Sequence, residues 1–144
     1  MRITKISMQL ITIVVLFLSY AGGVAAETGK PPDPLAAKRG QALYSQYCMA
    51  CHSDNGVGEP PIPWSIRRPD YYMAPALDDS QHAWHHSDED LIKVIFSGSS
   101  RTDRMPAFQR ILSNQDAADL VAFMKSLWSE RALECQGPKH MSCM

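Results

Sequence analysis

The sequence predicts an all-α domain. Three segments carry helix start and stop signals with a one-sided apolar pattern, and no stretch alternates apolar and polar residues as a half-buried strand would. No internal repeat is present. The first helix begins where Asp33 supplies an N-cap and Pro34 takes the first helical position. In "LAAKRGQALYSQYC", Leu35, Ala36, Gly40, Leu43, Tyr44 and Tyr47 then follow at helical spacing. Gly40 inside that helix costs about 1 kcal/mol relative to alanine, which points to something packed closely on the backbone there. Residues 53–86 are irregular and hold five prolines: Pro60, Pro61, Pro63, Pro69 and Pro75. A loop of this length implies a function or a body to wrap around. "SDEDLIKVIFSG" reads as a second helix. Ser87 is its N-cap, Asp90 completes a weak capping box, Leu91, Val94 and Ile95 form its buried stripe, and Gly98 stops it. The last helix is capped by Ser113 with Asp116. Leu120, Val121, Phe123, Met124, Leu127 and Trp128 supply its apolar face.

The 144 residues divide unequally. Residues 1–26 read as a secretory signal: a basic start with Arg2 and Lys5, an apolar core, and small residues before a cleavage site that leaves Glu27 first. The alternative is an uncleaved anchor, for which Met8 to Ala26 is only marginally long. Export to the periplasm follows, with inner-membrane anchorage only if the segment is retained. Residues 27–34 read as a polar, proline-rich linker, 35–130 as the domain, and 131–144 as a tail containing Cys, His and Met. Loss of Arg2 and Lys5 leaves 12 basic against 15 acidic side chains, a formal charge of −3. That balance argues against a nucleic-acid partner. A core built from 118 residues is modest, and a large apolar cofactor would strengthen it.

"CMACH", residues 48–52, carries the chemistry. A structural zinc site needs four ligands, usually in two close pairs, and the remaining cysteines, Cys135 and Cys143, are eight residues apart and far down the chain. A redox dithiol belongs at a strand-to-helix junction, whereas a helix precedes this motif. C-x-x-C-H is also the attachment motif of c-type haem: two thiols form thioethers with the porphyrin edge, and the adjacent imidazole is placed to ligate iron. Export suits that reading. A haem used for electron transfer calls for a second axial ligand, and methionine favours the reduced iron and raises the potential. "DRMPAF" offers Met105, with Pro106 stiffening the loop behind it.

Together, "RGQALYSQYCMACH", "HSDEDLIKVIFSG", "RMPAF" and "LSNQDAADLVAFMKSLW" resemble the class I c-type cytochromes, bacterial and monoheme, over about residues 34–128. The resemblance implies a small helical shell around one covalently bound haem c, with the first and last helices crossing. It implies that Phe123 packs on Gly40. It assigns Cys48 and Cys51 to the thioethers, His52 to the proximal ligand and Met105 to the distal ligand. It places a carbonyl of the proline-rich loop on the imidazole, with Pro60 and Pro61 equally eligible. The implied function is single-electron transport between redox partner proteins (an oxidase, a reductase or a dehydrogenase) without enzymatic activity of its own.

Departures from the family pattern are informative. Ser53 stands where glycine is common. Met73, His82, His85 and His86 are further potential iron ligands, and the three histidines otherwise read as a solvated loop or a metal or partner site. In the tail, Cys135 and Cys143 suit a disulfide in an oxidising compartment. With His140, Met141 and Met144 they would instead suit soft copper ligation. Two rival functions follow: a copper-handling protein that uses the tail, and a haem sensor or peroxidase-like protein with a displaceable axial methionine.

Overall fold

The local signals produce the helices they specify. The computed structural model describes residues 27–68 and 70–143. The signal reading, residues 1–26, lies outside them. Helix α1 spans Pro34–Tyr47, where the Asp33 carboxylate accepts from the Ala36 amide. A single turn, α2, Met49–His52, follows at once. Helix α3, Asp88–Ser97, starts with the Ser87 side chain accepting from the Asp90 amide and stops at Gly98, whose φ is 73°. Helix α4, Asn114–Ser126, opens with a reciprocal capping box between Ser113 and Asp116. Two short helices, α5 (Glu130–Glu134) and α6 (His140–Cys143), complete the chain. No strand occurs among the described residues, so the fold is all-α.

The most extensive helix contact is between α1 and α4. Gly40 makes it possible. A Cβ at Gly40 would overlap the Asp119 carbonyl and lie 2.9 Å from the Cβ of Phe123. This is the close approach that the glycine signals and the family resemblance implies. One turn on, the Tyr44 ring sits 4.8 Å from the Phe123 ring. One residue before Gly40, Arg39 grips the buried Asp119 through two hydrogen bonds of 2.6 and 2.7 Å.

The core joins Tyr44, Leu91, Ile95, Leu112, Leu120, Val121, Phe123, Met124 and Trp128. Val94, expected in the α3 stripe, is 44% exposed. The side of α3 that packs on the core carries Asp88, Leu91, Ile92, Ile95 and Phe96, and Val94 falls roughly 120° around the helix from its centre.

Both ends of the described chain are tied to this body. The Lys125 ammonium is buried and donates to both Asp88 carboxylate oxygens (3.2 and 3.0 Å) and to the Glu27 carbonyl (2.7 Å). Gln136, 1% exposed, donates to Asp88 and to the His86 carbonyl and accepts from the Gly29 amide. The Thr28 hydroxyl accepts from the Asp88 amide. Residues 27–34, read as a linker, therefore begin with a segment docked on α3, α4 and the tail. A groove of about 520 Å³ beside this docked segment is lined by Pro31, Pro32, Ala36, Asp88, Asp119 and Lys125, and by no residue of "CMACH". The tail closes on itself through a Cys135–Cys143 disulfide with Cα atoms 6.0 Å apart.

Candidate functional site

Helix geometry gathers the motif. The Cys48 amide donates to the Tyr44 carbonyl, ending α1, and the Cys51 and His52 amides both return to the Cys48 carbonyl, at 3.1 and 2.9 Å. Cys48, Cys51 and His52 thus share one turn. Both cysteines are free and half-buried, while His52 is 7% exposed. Burial, with Cys51 adding to it, pushes the Cys48 thiol up to about 11. A reactive dithiol needs the opposite shift. Among the described residues, no group of three or more His, Cys, Asp or Glu is disposed to hold a metal ion, so a zinc cage has no further ligands here.

His52 is oriented from behind. Its Nδ1 lies 2.9 Å from the Pro75 carbonyl oxygen, which only accepts. Nδ1 therefore carries the proton, and Nε2 keeps a lone pair for a ligand. Burial holds the imidazole below its ordinary pKa, against the raising effect of that hydrogen bond, and favours the neutral ring. The acceptor is neither Pro60 nor Pro61, the two prolines the resemblance suggested. The loop folds back: the Gly58 amide donates to the His52 carbonyl, the Glu59 amide to the Ala74 carbonyl, and the Leu77 amide to the Gly56 carbonyl. These bonds bring residue 75, not residue 60 or 61, to the ring. Gly58, at φ 77°, admits the close pass, because a Cβ there would lie 2.6 Å from the Ala76 nitrogen.

Ser53 explains its own oddity. It turns the chain out of α2 at φ 61°, ψ 176°, a region that essentially only glycine occupies without strain. Its hydroxyl donates to the Gly58 carbonyl at 2.8 Å, and its carbonyl accepts from the Tyr44 phenol at 2.6 Å. Ser53→Gly removes the strain and loses one exchangeable hydrogen bond. It should raise stability by about 0.5–1.5 kcal/mol, read as an increased midpoint in denaturant. A lower midpoint would show that the hydroxyl contact outweighs the strain.

Met105 is half-buried in the loop between α3 and α4. Its carbonyl accepts from the Ser99 amide at 3.1 Å, and Gly98 lets that carbonyl come close, since a Cβ there would lie 2.6 Å from it. The loop is fastened to the motif region on both sides of Met105. Arg104 pairs with Glu59, seven residues past His52, and Phe108 meets Tyr47 edge-on at 6.1 Å, next to Cys48. The loop that offers a thioether is thus bound to the segments that offer two thiols and an imidazole. The family model described as cytochrome C oxidase, cbb3-type, subunit III matches residues 35–124. The chain belongs to this family. It is a class I c-type cytochrome, and haem-based electron transfer is what this class does. No curated protein and no solved structure matches the chain.

The residues of this cytochrome fit haem c. The donor set is right: paired thiols, a buried imidazole with Nε2 available, and a thioether on a loop bound nearby. So is the apolar surface. Leu43, Tyr47, Leu77, Phe96 and Phe108 pack on the core yet remain only partly buried, and Val57 is 57% exposed. Tyr47 directly precedes Cys48 and meets Phe108, so an apolar group held at the motif would adjoin this part of that surface.

The other potential ligands go elsewhere or carry no specific contact. His82, His85 and His86 gather with His140 of the tail: the His85 and His140 rings stack at 4.4 Å, and His82 lies 5.8 Å from His86. Stacked parallel rings do not converge on one ion. Met73, in the segment just before Pro75, is half-buried. The disulfide takes both tail thiols, and Met141 points outward at 68% exposure, so the soft copper set is not assembled. Pro75, Glu59 and Arg104 are the residues to which the sequence assigned no individual role.

Proposed function

We propose that this cytochrome is an exported, monoheme single-electron carrier that works between periplasmic or membrane-bound redox partners, and that it is not an enzyme. The observation that carries the reading is the His52–Pro75 hydrogen bond beside two free thiols. It leaves Nε2 of a fixed imidazole available to a metal where covalent attachment would occur. When bound, haem supplies the one-electron iron couple. The chain supplies the rest. Cys48 and Cys51 would hold the porphyrin by thioethers. His52 would be a ligand to the iron, its ring fixed and its basicity raised by the Pro75 carbonyl. Met105 would supply a second ligand, a thioether that favours the reduced state.

One C-x-x-C-H motif implies one haem. The formal charge of −3 for residues 27–144 favours partners with basic docking patches and brief, salt-sensitive encounters. Purified protein should retain one haem per chain through denaturing electrophoresis and acidic organic extraction. A Cys48→Ala, Cys51→Ala variant should lose it. Haem that extracts from the native sequence would overturn covalent attachment.

A further inference from the structure

Arg104 and Glu59 are 45 residues apart in sequence and form more than a surface ion pair. The Arg104 guanidinium meets both Glu59 carboxylate oxygens, at 2.9 and 2.5 Å. The same group donates to the Tyr72 carbonyl at 2.7 Å and lies over the Tyr71 ring, 4.4 Å from its centroid. Glu59 is equally constrained: it accepts from the Tyr71 hydroxyl at 3.1 Å and from the Ala74 amide at 2.8 Å, and its side chain is 21% exposed. Isolated exposed pairs contribute little, because two long side chains must be immobilised for a screened attraction. Here the planar fork, the backbone acceptor and the aromatic face fix both partners at once.

The position of this network gives it a role. Arg104 directly precedes Met105. Ala74, which Glu59 holds, directly precedes Pro75, which orients His52. One clasp therefore joins the loop of the proposed distal ligand to the loop that fixes the proximal one. A thioether is a weak ligand and stays in place only while its loop is held there.

We infer that the Arg104–Glu59 clasp is a positioning device that keeps Met105 in its ligating place and closes the site to external ligands. The inference rests on the ligand assignment proposed above. Arg104 and Glu59 touch no reacting atom and act through the Met105 loop.

The test is imidazole binding to the ferric holoprotein, followed by stopped-flow absorbance. Arg104→Ala should bind imidazole at least tenfold faster than the native protein, with a weakened near-infrared methionine–iron band. Glu59→Gln, which preserves shape, should move in the same direction. The double variant should be no faster than Arg104→Ala alone, and Arg104→Lys should fall between native and alanine. Arg39→Ala breaks a pair of similar geometry between α1 and α4, so it should lower stability yet leave the imidazole rate unchanged. Met105→Ala, run alongside, separates two failures. If it opens the site and Arg104→Ala and Glu59→Gln do not, the clasp is overturned and the ligand assignment stands. If Met105→Ala itself binds imidazole no faster than native, the assignment fails and the clasp falls with it.

Discussion

Met105→Ala is expected to turn a low-spin haem spectrum into a high-spin one. The variant should bind cyanide and carbon monoxide, and its reduction potential should fall by on the order of 0.1–0.3 V. The physical reason is that the proposed Met105 ligation would be lost, and a thioether stabilises ferrous iron more than ferric. The structure limits substitution by another side chain. His82, His85 and His86 are engaged with one another and with His140. The loop around residue 105 stays bonded to α3 through the Phe108 and Gln109 amides, so it should not rearrange widely when the side chain is cut. A low-spin spectrum retained in the variant would point to Met73, which lies beside the Tyr72 carbonyl and the Ala74 amide of the clasp network.

The second large effect concerns stability. Lys125→Met should cost about 3–5 kcal/mol and lower the melting temperature by on the order of 10–20 °C. The Lys125 and Asp88 side chains are 3% and 1% exposed. Without the ammonium, a buried carboxylate keeps only the Gln136 amide and loses its counter-charge. The same ammonium holds the Glu27 carbonyl, so the docked N-terminal segment should loosen as well. Pairing Lys125→Met with Asp88→Leu should recover much of the loss, since apolar replacement of a whole buried pair is often nearly neutral. Scanning calorimetry on the single and double variants checks both statements. A single variant as stable as native would contradict the reading of a buried, mutually dependent pair.

These two positions also show what the sequence can and cannot say. Helix starts and stops were legible because capping is local chemistry: Asp33, Ser87 and Ser113 each bond to an amide three residues on. Gly40 was legible because a glycine within a strong helix demands a packing reason, and the Asp119 carbonyl is that reason. The motif residues were legible because their spacing is their geometry, on a single turn. Lys125 and Asp88 were not legible. Charged residues read as solvated, and nothing local indicates that the N-terminal segment and the tail will cover them. Pro75 was missed for a related reason: it lies 23 residues from His52, and its arrival depends on Gly58 passing close to residues 74–76 and on Glu59 bonding to Ala74. The Arg104–Glu59 clasp spans two loops and left no periodic trace at all. Pairings within an element can be read from spacing, whereas those that cross irregular chain need the fold.

The central claim is that His52 and Met105 together set the chemistry of one covalently held iron. It is tested most directly by a redox-titrated absorption spectrum of the purified holoprotein, extended into the near infrared. The expected result is a single one-electron transition, a low-spin spectrum in both states, a methionine–iron charge-transfer band in the oxidised form, and no shift on adding carbon monoxide to the reduced form. A high-spin spectrum with ready carbon monoxide binding, or a low-spin oxidised form without the methionine band, would contradict it.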